Sequence, residues 1–163
     1  MNKNKLQLIL EKHKLWIDTD YANGECAYLQ YADLQGAYLR DTYLRGANLQ
    51  NAIINYPIAC PETGNFIGYK KLQKNKIAKL LIAENAKRCS ATGRKCRCSK
   101  AQVLEITDIS GNIHYDEGVS VYDVDFIYRV GETVEIDNFN ENRWNECSTG
   151  IHFFITRQEA VEY

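Results

Sequence analysis

The sequence predicts a mainly β fold in two parts: a short solenoid preceded by an N-terminal helix, and an antiparallel β domain that ends in a short helix. Two observations lead to this prediction. Residues 22–57 repeat a five-residue pattern that matches neither the helical nor the strand period. Residues 58–163 instead show short apolar runs between turn residues. A chain of 163 residues is long enough for two small units.

The first element is an amphipathic helix within residues 1–21. Apolar side chains recur at spacings of three and four residues in the segment KLQLILEKHKLWID, and lysines occupy the opposite face. The pattern predicts a helix that ends near Asp18. Because a repeat array exposes its core at each end, we expect this helix to cover the open end of the repeat that follows.

Residues 22–57 contain a pentapeptide repeat in strict register. Each unit has a leucine or isoleucine at its centre and a small residue two positions earlier. The central residues are Leu29, Leu34, Leu39, Leu44, Leu49 and Ile54, and the small residues are Ala27, Ala32, Ala37, Thr42, Ala47 and Ala52. A period of five fits a solenoid that turns a corner every five residues. Both sets are predicted to fill its interior, and Tyr28, Tyr38 and Tyr43 to face outward.

These units, ADLQG and ANLQN above all, resemble the pentapeptide-repeat family. The resemblance implies a right-handed, quadrilateral β-helix with four units in each coil. The repeat would then make about one and a half coils, which is short for a stable array. It is therefore expected to depend on the helix before it and on the larger part of the chain after it.

The C-terminal part, residues 58–163, is predicted to be an antiparallel α+β domain. Thr156 and Glu159 have the spacing of a capping box, which predicts a short helix from about residue 157 onward. The predicted strands lie in the runs FIGYKKL, KIAKLLI, KCRCSKAQVLEITD, DFIYRVGETVEI and GIHFFIT.

Charge is distributed unevenly within the C-terminal part. Residues 70–100 contain eleven basic side chains and one acidic side chain, whereas residues 103–163 contain three basic and thirteen acidic ones. Two interpretations stay open. The two segments pair with each other in the fold, or the basic segment forms a concentrated site for an anion.

The densest polar feature is the segment KRCSATGRKCRCSK, residues 87–100. Guanidinium groups, hydroxyls and a glycine turn are the groups that bind phosphate or carboxylate, although their order is not that of a P-loop. A nucleic-acid surface and an internally paired basic strand are the alternatives. The predicted ligand-binding residues are Arg88, Ser90, Thr92, Arg94, Lys95 and Arg97.

The six cysteines are expected to be free thiols, because the sequence shows neither a signal peptide nor a membrane span. Cys96 and Cys98 are closer in sequence than the cysteines of usual zinc knuckles, so no metal and no cofactor is predicted. Cys147 and His152 are a candidate nucleophile and base, but no orienting acid accompanies them and no catalytic residue is predicted. The potential metal ligands are Cys60, Cys89, Cys96, Cys98, Cys147, His114 and His152.

The C-terminal part contains the motifs CPETGNFIGYKK, KRCSATGRKCRCSKA, FIYRVGETVE and RWNECSTGIHFFITRQEAVEY. Together they resemble an uncharacterised domain that commonly follows pentapeptide repeats in bacteriophage and prophage proteins. The resemblance begins at about Cys60 and implies a shared domain, not a reaction.

A phage context favours a non-enzymatic binding protein of the host-cell cytoplasm, with no membrane contact and with a homo-oligomeric state. Such a protein would sequester an anionic small molecule, such as a nucleotide immune signal, and so counter host defence. One alternative is an interaction or inhibitor module that binds a host protein through the tyrosines of the repeat. The other is an enzyme that uses Cys147 and His152.

Overall fold

The computed structural model describes residues 1–35, 37, 39, 42–54 and 58–163. Within them the fold is mainly β, with antiparallel sheets and two α-helices. The chain divides into two compact units, Met1–Pro57 with Trp144–Glu146, and Ile58–Arg143 with Cys147–Tyr163. Neither α-helix of the described residues is long and apolar enough to cross a membrane.

Helix α1 spans Lys3–Asp18 and ends at the residue that the sequence predicts. The side chain of Asn2 caps it by accepting a hydrogen bond from the amide of Asn4. His13 is fully buried, and its Nδ1 accepts a hydrogen bond of 3.1 Å from the amide of Ala27. Burial lowers the pKa of His13, so the ring stays neutral and keeps this acceptor. The helix is thereby fastened to the first repeat unit.

The repeat segment buries its central leucines as predicted. Parallel bridges join Tyr28 to Asn48 and Asp33 to Ile53, so residues that are twenty positions apart in the sequence lie side by side. Tyr28 and Tyr43 are 75% and 58% exposed, which confirms their outward orientation. The prediction for Tyr38 lies outside the described residues.

The second unit consists of three antiparallel sheets and a terminal helix. The sheets have the strand orders β1-β2-β5-β8, β3-β4-β9 and β6-β7. The elements are β1 (Phe66–Leu72), β2 (Lys76–Ile82), β3 (Arg88–Ser90), β4 (Cys96–Cys98), β5 (Lys100–Asp108), β6 (Glu117–Val119), β7 (Ile127–Arg129), β8 (Thr133–Glu135), β9 (Ile151–Phe153) and α2 (Arg157–Glu162).

Four details of the second unit differ from the sequence prediction. The run KCRCSKAQVLEITD divides at Ser99 into β4 and β5, which belong to different sheets. Ser99 joins the two sheets, because its amide donates to the carbonyl of Lys87 beside β3 at 2.9 Å and its carbonyl accepts from the amide of Ile136 beside β8 at 2.8 Å. The run DFIYRVGETVEI likewise divides into β7 and β8. Strand β3 was expected as a turn, and β6 was not predicted.

The core of the second unit lies between β1, β2, β5 and β9. Its largest fully buried side chains include Tyr128 and Phe153. Helix α2 begins with the predicted capping box, in which the Thr156 hydroxyl accepts from the amide of Glu159 and the Glu159 carboxylate accepts from the amide of Thr156.

Replacing Gly68 with alanine is expected to destabilise the second unit by about 1–3 kcal/mol through overpacking. A Cβ at this position would lie 2.5 Å from Cδ2 of Phe153 and 3.0 Å from Cδ1 of Ile82, both in the core. Gly93→Ala is the matched control, since its Cβ would meet nothing nearer than the Lys95 amide at 3.9 Å. Urea unfolding checks both variants, and equal midpoints would contradict the prediction.

Candidate functional site

The second unit contains a cavity of about 690 Å³. Its wall carries the aromatic rings of Tyr122, Phe126, Tyr128 and Tyr163. Phe126 and Tyr128 pack against each other with ring centroids 5.2 Å apart. The segment 147–152, which leads into β9, supplies another part of the wall with hydroxyls, a thiol and an imidazole. The cavity therefore combines an apolar aromatic surface with polar groups that can orient a ligand.

Lys70 reaches the cavity from the middle of β1. Alternation along the strand places Gly68, Lys70 and Leu72 on its buried face. Lys70 is 8% exposed, its Nζ donates a 3.3 Å hydrogen bond to the carbonyl of His152, and the ring centroid of Tyr128 lies 5.8 Å away. Burial lowers the pKa of Lys70 to about 8, so part of the amine is uncharged near neutral pH.

Lys95 lines the same cavity from the residue before β4. It also lines an adjoining depression of about 300 Å³, to which Lys71 and Lys74 contribute. Its Nζ lies 5.6 Å from the ring centroid of Tyr163. Neither Lys70 nor Lys95 takes part in an ion pair among the described residues. Two lysines therefore face the cavity, where Asp123 is the acidic side chain of the wall.

Two aromatic hydroxyls meet beside this cavity. The hydroxyl oxygens of Tyr122 and Tyr163 are 3.2 Å apart, and this hydrogen bond raises the pKa of Tyr122. Both side chains are mostly exposed. They supply an accessible aromatic edge to a site whose inner wall, at Tyr128, is buried.

His152 and Cys147 both line the cavity, although no hydrogen bond joins them in the described structure. His152 points away from its buried strand neighbours Ile151 and Phe153, as predicted. Its Nε2 lies 2.9 Å from the carbonyl of Ser148, which favours the tautomer that donates from Nε2. Burial lowers the pKa of His152 to about 4, so the imidazole is neutral at physiological pH.

Wild-type protein is expected to lose more stability than His152→Gln as pH falls from about 6.5 to about 4. In this window the unfolded state binds a proton at His152 and the folded state does not, so acid favours unfolding. Glutamine keeps an N–H donor for the Ser148 carbonyl but does not titrate. Urea unfolding of both proteins across this range checks the prediction, and parallel stability curves would refute it.

The two most buried arginines of the predicted ligand set bind the backbone of the protein. Arg88 donates to four backbone carbonyls and lies over the ring of Phe66. Arg97 is 2% exposed and donates to the carbonyls of Asn140, Thr149 and Asn142 at 3.0, 2.7 and 3.0 Å. Arg97 therefore anchors residues 140–149, next to the segment that lines the cavity.

The other members of that set have different surroundings. Ser90 is buried and its Oγ accepts a 2.7 Å hydrogen bond from the amide of Ala59. Arg94 pairs with Glu159 at 2.6 Å, and Thr92 is half-buried between β3 and β4. All six residues are described, and Lys95 is the one that lines the cavity. The structure thus does not gather them into one site, and their role as ligand contacts stays a prediction.

The opposite charges of the second unit pair in part with each other. Lys87 contacts Glu141, Arg94 contacts Glu159, and Lys79 stands opposite Glu105 between β2 and β5. All six cysteines are free thiols, as predicted. Among the described residues, no three His, Cys, Asp or Glu side chains are placed to hold a metal ion.

Comparison with known protein families finds a family model that matches each of the two parts of the chain. A family model described as "Pentapeptide repeats (8 copies)" matches residues 25–55, and one described as a family of unknown function, DUF5758, matches residues 56–160. The chain belongs to the DUF5758 family. Both predicted resemblances are confirmed, whereas a bacteriophage origin stays a prediction. Neither a curated protein nor a solved structure matches the chain.

The residues matched to DUF5758 therefore include both lysines and the whole cavity lining except Tyr163. Neither matched family description names an enzymatic activity. Sequence reasoning missed Lys70, Tyr122, Tyr128 and Tyr163. A signal for Lys70 was present, since a lysine that alternates with Gly68 and Leu72 in an apolar strand occupies a core position.

Proposed function

We propose that the DUF5758 domain binds an anionic small molecule with an aromatic group, of the nucleotide class, in the cavity. The observation that carries the proposal is that the cavity combines a wall of aromatic rings with two lysines, neither of which has an ion-pair partner in the described part of the chain. The cavity volume of about 690 Å³ lies within the usual range for small-molecule sites.

Electrostatics favour an anion beside Lys95. This ammonium is half-buried and forms no salt bridge among the described residues, so an incoming phosphate or carboxylate would be its first ion-pair partner. Lys70 carries a partial positive charge near neutral pH and adds to the same field. The neutral His152 and the hydroxyls of Ser148 and Thr149 are left to orient the ligand by hydrogen bonds.

The aromatic wall favours a flat ring in the ligand. The buried Tyr128 packs against the half-buried Phe126, and Tyr122 and Tyr163 offer a more exposed edge. Stacking of a base on such rings contributes roughly 1–3 kcal/mol for each contact and tolerates different bases. The site should therefore accept several nucleotides and discriminate mainly by charge and size.

In this proposal the repeat is the scaffold and the contact between copies of the chain. We infer that it forms about one and a half coils of a right-handed, quadrilateral β-helix. The bridges between residues twenty apart and the buried leucines support this interpretation. Sequestration of a nucleotide signal to counter host defence is the biological role that the phage resemblance suggests for such a protein.

A panel of cyclic and linear nucleotides, measured by thermal shift and calorimetry, tests the proposed function. Ligand present at about 100 times its dissociation constant should stabilise the folded protein by about 2.7 kcal/mol. Mass spectrometry of small molecules released from the native protein should reveal a bound anion. No heat, no thermal shift and no released anion across the panel would end the proposal.

A second candidate function is protein binding through the repeat, and the exposure of Tyr28 and Tyr43 favours it. Aromatic side chains are enriched at protein interfaces. The double variant Tyr28→Ser/Tyr43→Ser should abolish capture of a protein partner and leave nucleotide binding unchanged. Loss of nucleotide binding in a variant that stays folded would favour the scaffold role instead.

A further inference from the structure

We propose that Lys70 is a carbonyl-reactive nucleophile, whose amine condenses with an aldehyde or ketone of the bound ligand and holds it as an imine. The inference rests on the proposed function, because the same cavity supplies the initial non-covalent binding. It narrows the ligand to an anionic, aromatic molecule that carries a reactive carbonyl group.

The fold fixes the backbone of Lys70. Lys70 pairs with Ala78 in the centre of the β1–β2 ladder, and on the other edge of β1 the neighbouring Tyr69 is bridged to Phe154. Its side chain lies between the buried positions of Gly68 and Leu72 and ends at the cavity wall. The amine makes one long hydrogen bond, to the carbonyl of His152 at 3.3 Å. A group that lines a cavity and is held this weakly is available to an incoming carbonyl.

The lysines near Lys70 differ from it in their hydrogen bonds or in their burial. Lys71 Nζ donates to the carbonyl of Val161 at 3.0 Å, and Lys76 Nζ donates to that of Glu117 at 2.9 Å. Lys76 also lies 4.0 Å from the ring centroid of Tyr115. Lys95 lines the cavity but is only half-buried. Lys70 is thus the lysine in this part of the molecule that combines burial with a place on the cavity wall.

The surroundings of Lys70 favour a neutral amine, which is the form that attacks a carbonyl. Burial is the main cause that lowers its pKa, and the charge of Lys95 acts in the same direction. Cys98 opposes the shift only as a thiolate, and burial raises the pKa of Cys98 to about 12. Tyr128 and His152 are neutral near pH 7, and Asp123 is the carboxylate of the wall.

The proposed reaction is balanced without a further reagent. The amine lone pair forms a bond to the carbonyl carbon, and the carbinolamine then loses water. The carbonyl oxygen leaves with the two amine hydrogens, and a carbon–nitrogen double bond remains. No oxidant or reductant is needed, and hydrolysis reverses the step, so the ligand would be held reversibly.

Pyridoxal 5′-phosphate is a suitable probe, because it combines a phosphate, an aromatic ring and an aldehyde. The full-length protein is treated with one equivalent near pH 8, reduced with borohydride and mapped by peptide mass spectrometry. Lys70 should be labelled at least about tenfold more than any other lysine, since an ordinary lysine is almost fully protonated at this pH. Its labelling rate should rise with pH through about 8.

Pyridoxine 5′-phosphate, which has an alcohol in place of the aldehyde, separates the two proposals. If it binds by calorimetry but the aldehyde labels lysines in proportion to their exposure, the imine is refuted and the proposed function stands. If labelling is unselective, the imine is refuted whether or not the alcohol binds, and the proposed function fails as well only if the nucleotide panel also shows no binding. Lys70→Met should lose the label and bind the alcohol more weakly, because it also removes one of the two cavity lysines. Lys79→Met, on β2 outside this cavity, should keep both the label at Lys70 and wild-type affinity for the alcohol. Site mapping in wild-type protein decides the question even if Lys70→Met does not fold.

Discussion

Arg97→Met is expected to lower the free energy of unfolding by about 2–4 kcal/mol. The guanidinium is nearly fully buried and donates to three backbone carbonyls, and methionine would leave those acceptors without these donors. The Arg97 guanidinium also lies over the ring of Phe139, 5.4 Å from the ring centroid. The variant should loosen residues 140–149 and, through them, the cavity wall.

Urea unfolding of Arg97→Met and Arg94→Met measures this effect. Arg94 is an exposed partner of Glu159, and an exposed ion pair contributes only about 0–1 kcal/mol. The loss in free energy of unfolding for Arg97→Lys should lie between the losses for Arg97→Met and Arg94→Met, because a single ammonium cannot reproduce the guanidinium fork. An Arg97→Met protein as stable as wild type, with weakened ligand binding, would instead make Arg97 a direct ligand contact.

Lys95→Met is expected to weaken binding of an anionic ligand about tenfold, which corresponds to about 1.4 kcal/mol. The variant removes the half-buried ammonium of the cavity and keeps most of the aliphatic stem. Its affinity should also lose much of the salt dependence that wild-type protein shows.

Arg94→Met is the matched comparison, because it removes one positive charge from the adjacent residue, whose side chain pairs with Glu159. Calorimetric titrations should show a change of about twofold or less for Arg94→Met. An equal loss in both variants would show that general charge, not the cavity, determines affinity. It would also favour the basic segment 87–100 as the site.

Elements with strong local signals could be predicted from the sequence. Helix α1, β1, β2 and α2 begin and end where their periodicity or capping residues indicate. The repeat was recognisable because its register places every leucine in the same chemical environment. These features depend on neighbours within a few residues of each other, which the sequence displays directly.

The roles of the arginines could not be predicted, because their partners are distant in sequence. The carbonyls that accept from Arg97 lie 43 to 52 residues further along the chain. A basic side chain in a polar segment has the same local pattern whether it binds a ligand or a loop. Strand β3 was missed for a similar reason, since its short pairing with β4 alone makes it a strand.

The site itself was predictable only in part. Lys95 was among the predicted ligand residues, but the tyrosines of the wall come from the segment 122–128 and from Tyr163, which meet Lys95 only in the folded domain. Lys70 could have been found by asking which charged residue interrupts a buried strand face. The strand alternation that places Lys70 inside leads to the cavity, whereas the arginines of segment 87–100 contact other parts of the protein.

A structure of the protein with the strongest ligand of the nucleotide panel would test the central claim most directly. We expect the anion within hydrogen-bonding distance of Lys95 Nζ and the aromatic group packed in the cavity against Tyr128 or Phe126. A ligand bound on the repeat segment, or on the arginines of residues 87–100 with the cavity empty at saturating concentration, would contradict it.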